Sequence, residues 1–117
     1  MSDNPLVTPT RPRRTLFLVT CHDAPASSAP REQHMREHLA HIERNLARYV
    51  VAGPAIDASG RIDGSILVID AADEADARAL IESDPYWLHG AWSRVDIRGF
   101  RGVCGSVVGG ITWSAVT

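Results

Sequence analysis

The chain has 117 residues, 44% of them hydrophobic and 22% charged, with a formal net charge of −2. Such a length and composition fit one globular domain that buries about two thirds of its unfolded surface. The absence of a basic excess argues against nucleic acid as a partner. The longest apolar runs, about six residues, fall far short of the ~20 that span a bilayer, so no membrane partner is expected either.

Residues 1–13, "MSDNPLVTPTRPR", are polar and proline-rich and lack the hydrophobic segment of a signal peptide. They predict a mobile N-terminal arm on a cytoplasmic protein. In that compartment Cys21 and Cys104, which fit no metal spacing, are expected as buried free thiols. "TLFLVTC" (15–21) is a nearly continuous apolar run, which suits a central strand. "HDAPASSAP" reads as a loop.

"REQHMREHLAHIERNLARY" (31–49) carries Met35, Leu39, Ile42, Leu46 and Tyr49 at steps of four, three, four and three. That spacing predicts an amphipathic helix with those five residues inward. "YVVAGPAI" is a second strand, bent or placed at an edge by Gly53-Pro54. "DASGRIDG" turns into a third strand, "SILVID". "DEADARALIESD" (73–84) is a second helix with acids in its first turn, as the helix dipole favours. After "PYWLHG", the segment "SRVDIRGF" alternates Val95 and Ile97 with Arg94, Asp96 and Arg98, the pattern of an edge strand.

The order is β-α-β-β-α-β, which predicts a ferredoxin-like α+β domain over residues 14–102, with an antiparallel sheet and two helices on one face. The remainder, 103–117, is an apolar tail whose "VVGGIT" signals a β-hairpin turning at Gly109-Gly110. The tail is too short for a core of its own and follows an open sheet edge. Packing against a second copy covers both, so a homodimer with the tail at its interface is expected.

On a helical wheel of 100° per residue, His38 lies roughly 60° from the centre of the apolar stripe, and His34 and His41 about 100–120° away. His38 therefore borders the buried face, and the other two look towards solvent or an interface. The three histidines stand at i, i+4 and i+7, but no HExxH pattern or fourth ligand accompanies them, so no metal is expected. On the second helix Asp84 projects within the arc of Ala77, Leu80 and Ile81. A carboxylate there opposes the helix dipole and must be paired or solvated in a cleft. Two readings stand: Asp84-Pro85 ends the helix, or Asp84 is functional. With both helices on one face of the sheet, His38 and Asp84 can meet as an imidazole and its orienting carboxylate, a pair suited to proton abstraction.

Taken in order, "LFLVTCHDAP", "REHLAHIE", "VAGP", "DGSILV", "DPYWLHGAW" and "VDIRGFR" resemble the YciI-like (YCII-related) family over about residues 15–101. The resemblance implies a ferredoxin-like fold of the dimeric α/β-barrel superfamily, a homodimer, and a catalytic His–Asp pair at His38 and Asp84. It also implies elimination of hydrogen chloride from chlorinated hydroxyquinones as an activity of the family. Gly99 stands where the family more usually has proline.

Asp23, after the first strand, either lines the cleft or caps its loop, and His22 is a cleft imidazole or an exposed loop residue. Tyr86, Trp87 and Trp92 are packing residues or the wall of a planar ligand's site. Asp23, Tyr86 and Trp87 are the substrate-binding candidates. Gly53 and Pro54 shape the backbone, and Arg36 is a surface charge. The functional expectation is a small-molecule lyase or isomerase without cofactor, with His38 as base and Asp84 as its partner. A non-catalytic metabolite-binding dimer and a purely structural subunit are the alternatives. Metabolite thermal-shift screening with mass spectrometry of the recovered ligand separates the first two.

Overall fold

The computed structural model describes residues 14–113. The expected N-terminal arm, residues 1–13, and positions 114–117 of the tail lie outside the described residues. Along the chain come β1 (Arg14–Asp23), α1 (Ser28–Arg44), β2 (Tyr49–Ile56), β3 (Ile62–Ile69), α2 (Glu74–Glu82), α3 (Pro85–Leu88), β4 (Trp92–Gly102), β5 (Cys104–Gly105) and β6 (Gly110–Ile111). The sheet runs β2-β3-β1-β4 with antiparallel neighbours, a mixed α+β arrangement of ferredoxin-like type with helices on one face. β1 is central and β2 and β4 are the edges, as their sequences predict. Among the described residues no helix is long and apolar enough to cross a membrane.

Residues 17–98 form one compact unit. In antiparallel strands, directly paired residues share a face. The pairs Phe17–Ile69, Val19–Leu67 and Cys21–Ser65 place five apolar side chains on the side of the helices. There they form the core with Ala77, Leu80, Ile81, Tyr86, Ala91 and Trp92. Each of the large aliphatic members stabilises the fold by about 1.5–3 kcal/mol through burial. The intervening pairs, Leu18–Val68 and Thr20–Ile66, face away from the helices, and there Val51 and Ile66 are exposed. Gly64 is required where β3 passes β1, because a Cβ at that position would collide with the carbonyl oxygen of Cys21.

The second helix is built as its sequence predicts. Asp73 is the N-cap, its side chain accepting from the Asp76 backbone N–H, and Glu74 and Asp76 sit in the first turn. The first helix departs from expectation in both length and facing. It begins at Ser28, ends at Arg44, and passes through a 3-10 turn (Leu46–Arg48) so that Tyr49 opens β2. Its inward side is only in part the apolar stripe: Met35, Leu39 and Leu46 are exposed, Ile42 and Tyr49 are half-buried, and Arg31, His34, His38, His41 and Asn45, a second series at steps of three and four, are sheltered as well. The expectation that His41 looks towards solvent or an interface is therefore corrected. His41 is buried, and His34 is half-buried with its ring stacked on His89 at 3.7 Å.

Described by itself, the second unit comprises residues 14–16 with 99–113. Its hairpin pairs Cys104 with Ile111 and Gly105 with Gly110. The turn is therefore not the Gly109-Gly110 pair. A 3-10 turn at Ser106–Val108 closes it, with Gly109 left-handed at φ 77°. Putting Val107 and Val108 in the turn lets Val108 bury its side chain, with Cγ1 lying near Gly102. Cys21 is buried as expected, but Cys104 is exposed, because β5 has only β6 beside it.

Candidate functional site

Asp84 occupies a position that a simple two-helix reading of this stretch misses. α2 ends at Glu82 with Ser83 as C-cap, and "PYWL" forms a separate turn of helix with Pro85 at its first position. Proline suits that position because its missing N–H would have had no partner there. Asp84 is the N-cap of this turn: its Oδ1 accepts from the Tyr86 backbone N–H at 2.8 Å. Capping alone would leave an aspartate at the surface, yet Asp84 is 0% exposed.

His38 supplies its second partner. Nδ1 lies 2.8 Å from Oδ1 and 2.9 Å from Oδ2. An ionised carboxylate only accepts, so Nδ1 carries the proton. Nε2 is then the ring nitrogen that Asp84 does not engage. The imidazole is also held in plane: Tyr86 stacks on it at 3.8 Å and 5°, and Trp92 meets it edge-on at 5.8 Å. α1 and the α2–α3 junction thus bring together two residues 46 positions apart.

His38 stands in the wall of an open cavity of about 400 Å³. Arg31, Ser65, Tyr86 and Trp92 line it too, and the rest is largely apolar, with Met35, Leu39, Ile42, Pro54 and Leu67. The stripe on α1 read as core is in large part this cavity's wall. Of the substrate-binding candidates, Tyr86 lines the cavity, whereas Asp23 and Trp87 do not. Asp23 lies behind Arg31, accepting from Nε at 2.9 Å, Nη2 at 2.8 Å and the Ser27 hydroxyl at 3.1 Å. Trp87 packs half-buried against the core. His22 is not in the cavity wall either; its Nε2 lies 2.7 Å from Asp96 on the exposed side.

Arg31 is the residue that sequence reasoning missed. It stands seven residues before His38, on the same side of α1, and that spacing was the available signal. Beyond Asp23, its Nη2 donates to the Gly64 carbonyl at 3.0 Å and the Ser65 hydroxyl at 3.2 Å. The Tyr86 hydroxyl donates to the Arg31 carbonyl at 3.2 Å. Burial pushes the Tyr86 pKa up, and the nearby guanidinium offsets this in part.

Asp84 also acts on more distant neighbours. Burial, and then the charge of Asp84, raise the pKa of the Cys21 thiol and the Tyr49 phenol well above their ordinary ranges. His41 moves the other way: burial lowers its pKa, Asp84 opposes that shift, and Arg44 and His38 add to it. Its Nε2, the Tyr49 hydroxyl and the Trp92 indole N–H are buried without hydrogen-bond partners among the described residues. The i, i+4, i+7 histidines do not converge, since His38 is committed to Asp84 and His41 is in the interior. Among the described residues, the ligand atoms close enough to share an ion are those of His34, Glu37 and His89, within 4.8 Å of one another. The two rings there are stacked, parallel to within 3°.

No curated protein matches the chain in sequence. Among solved structures it is similar to 5-chloro-2-hydroxyhydroquinone dehydrochlorinase (TftG) from Burkholderia phenoliruptrix AC1100, in complex with 2,5-dihydroxybenzoquinone. The two are 27% identical, with a TM-score of 0.66 over 79% of this chain and 97% of that one. A second similar structure, PA3566 from Pseudomonas aeruginosa, is 15% identical with a TM-score of 0.46, over 85% of this chain and 98% of that one. The model of the YCII-related domain matches residues 15–101. By that match, which takes in both halves of the His38–Asp84 pair, the chain belongs to the YCII-related domain family.

Proposed function

We propose that the chain is a small-molecule lyase in which His38 is the general base and Asp84 holds it in the productive tautomer. The observation that carries this reading is the hydrogen bonding of His38 Nδ1 to both oxygens of a fully buried carboxylate, on a residue that lines an open cavity. Proton abstraction by Nε2 needs no cofactor. The dehydrochlorinase among the similar structures supports elimination of hydrogen chloride from a chlorinated, hydroxylated ring. In the diketo tautomer of such a ring the chlorinated carbon and its neighbour are both tetrahedral, and Nε2 takes the proton on that neighbour. The C–H electron pair becomes the new C=C bond, and chloride leaves with the C–Cl pair.

The test is chloride release from 5-chloro-2-hydroxyhydroquinone under exclusion of oxygen. His38→Ala should lower turnover at least about a hundredfold, the usual worth of a general base. Turnover that does not depend on His38 removes the assignment. A ligand that binds but is recovered chemically intact returns the chain to the metabolite-binding alternative.

The same reading takes the functional unit to be a homodimer with residues 103–117 at its interface. Exposed Val51 and Ile66 on the sheet, and exposed Val103 and Trp113 in the tail, support it. A monomer in analytical ultracentrifugation at micromolar concentration is the result against it. Both cysteines are free thiols, the state that a reducing compartment such as the cytoplasm keeps.

A further inference from the structure

We infer that His34, Glu37 and His89 form an accessory site for a transition-metal dication of the zinc type, which on binding clamps α1 to α3. None of the three residues lines the cavity, so the inference does not rest on the lyase reading.

His34 and Glu37 stand three apart on α1, so their side chains are neighbours on one side of the helix. His89 comes from a different element. It is the C-cap of α3, and Gly90, left-handed at φ 77°, turns the chain away directly after it. The three therefore meet through packing rather than through adjacency in sequence. Each offers one ligand atom, and these atoms lie within 4.8 Å of one another. His34 Nδ1 and Glu37 Oε1 are 3.3 Å apart. Two ligands of a tetrahedral zinc ion, with bonds of about 2.0–2.2 Å, stand about 3.3–3.5 Å apart, so this pair already has the spacing of a shared ion. His89 completes the set, its ring centroid 3.7 Å from that of His34. Glu37 and His89 are both exposed, which gives them room to turn the small amount that closing on one ion requires. Two imidazoles with one carboxylate suit zinc and its neighbours, whereas magnesium and calcium take sets built of oxygen. The position of the site gives it a purpose. The His38–Asp84 bond ties α1 to the first end of α3, and an ion on His34, Glu37 and His89 ties the same two elements at the other end.

The experiment is calorimetric titration of the chelator-treated full chain with zinc chloride. Cys104→Ser is the background for every sample, because that exposed thiol would itself take zinc. One equivalent of zinc should bind, and magnesium chloride at the same concentrations should not. Glu37→Gln and His89→Gln alter exposed side chains, so the metal-free chain should keep its urea midpoint. Each should weaken zinc at least about tenfold, a cost that even the residues supporting a metal ligand commonly reach. Urea unfolding reads the clamp. Saturating zinc should raise the midpoint of the background chain, because an ion that binds only the folded state stabilises it, and should not raise that of His89→Gln. Absence of saturable zinc binding, magnesium binding as tight as that of zinc, a loss under about tenfold in either variant, or zinc binding that leaves the midpoint unmoved each overturns the inference. Zinc binding is read without any substrate, so a failed lyase assay leaves it standing, and its own failure leaves His38 and Asp84 untouched.

Discussion

Replacing Asp84 by asparagine separates the two jobs of this carboxylate. As N-cap it accepts from the Tyr86 N–H, and it also accepts from His38 Nδ1, the bond to which the proposed function gives an orienting role. Asparagine caps a helix about as well as aspartate, so the amide oxygen can keep the first bond. Its other terminal atom is an NH₂ donor 2.9 Å from a ring nitrogen that also donates, which leaves Nδ1–H only the amide oxygen already shared with Tyr86. The conflict is relieved when the imidazole moves its proton to Nε2 and turns the lone pair of Nδ1 to the new amide. Nε2, the atom that accepts the substrate proton in the proposed reaction, then has no lone pair.

A tautomer inversion of this kind costs about 10⁴ in turnover, whereas the cost in stability is small. One charge-assisted bond worth about 1.5–3 kcal/mol gives way to a neutral one worth about 0.5–1.5, a net loss of about 1–2 kcal/mol. Asp84→Ala loses the cap as well and leaves two buried donors unpaired, for a total of about 3–5 kcal/mol. The assay is ¹⁵N NMR of the His38 ring with urea unfolding on the same samples. The unsubstituted chain should show the proton on Nδ1, and Asp84→Asn should show it on Nε2 with a modest fall in midpoint. An unchanged tautomer, or full chloride-releasing activity in Asp84→Asn, refutes the reasoning.

Four further outcomes follow from buried groups. Tyr49→Phe removes a buried hydroxyl without a partner and should leave the urea midpoint unchanged or raise stability by up to about 1 kcal/mol. Because the pKa of His41 is lowered by folding, the unfolded chain binds the extra proton first. Stability from this residue is therefore present above the ordinary histidine range and is lost as pH falls through it. The loss is at most about 1.4 kcal/mol per pH unit, and His41→Gln should flatten the urea midpoint between pH 7 and pH 5. Cys104 is exposed and Cys21 is buried with its pKa raised, so Ellman's reagent should label one thiol in the folded chain and two in denaturant. Gly64→Ala drives a methyl into the Cys21 carbonyl oxygen and should destabilise by about 1–3 kcal/mol in urea unfolding.

The strands and the second helix were legible because their signals are local: β-branched alternation, the Asp73 cap and acids in a first turn. The His38–Asp84 pair was legible because two wheels and the order of elements constrained it. The α3 turn was not, since four residues starting at proline carry no periodicity; its sign was the Asp-Pro step, which reads equally as a helix ending. The hairpin was found but its turn was misplaced. Local turn chemistry favoured Gly109-Gly110, and the burial of Val108, a tertiary gain, overrode it. Asp23 and Trp87 were chosen by proximity in sequence to the cleft, which says nothing of which way a side chain is drawn; Asp23 is drawn to Arg31.

The reversal of α1 has a different cause. Hydrophobic periodicity locates the apolar face and equates it with the core, and here the two part company. The sheltered face carries a guanidinium and three imidazoles, of which Arg31 and His38 are satisfied by acids outside the helix. The apolar face is left at the rim of a cavity, with Met35 at 51% exposure and Leu39 at 48%. A helix with no other task would gain about 0.7–1.5 kcal/mol for each such half-exposed side chain it turned inward. That this one forgoes the gain, and buries polar groups that each need a partner, is what the proposed substrate site asks of this helix.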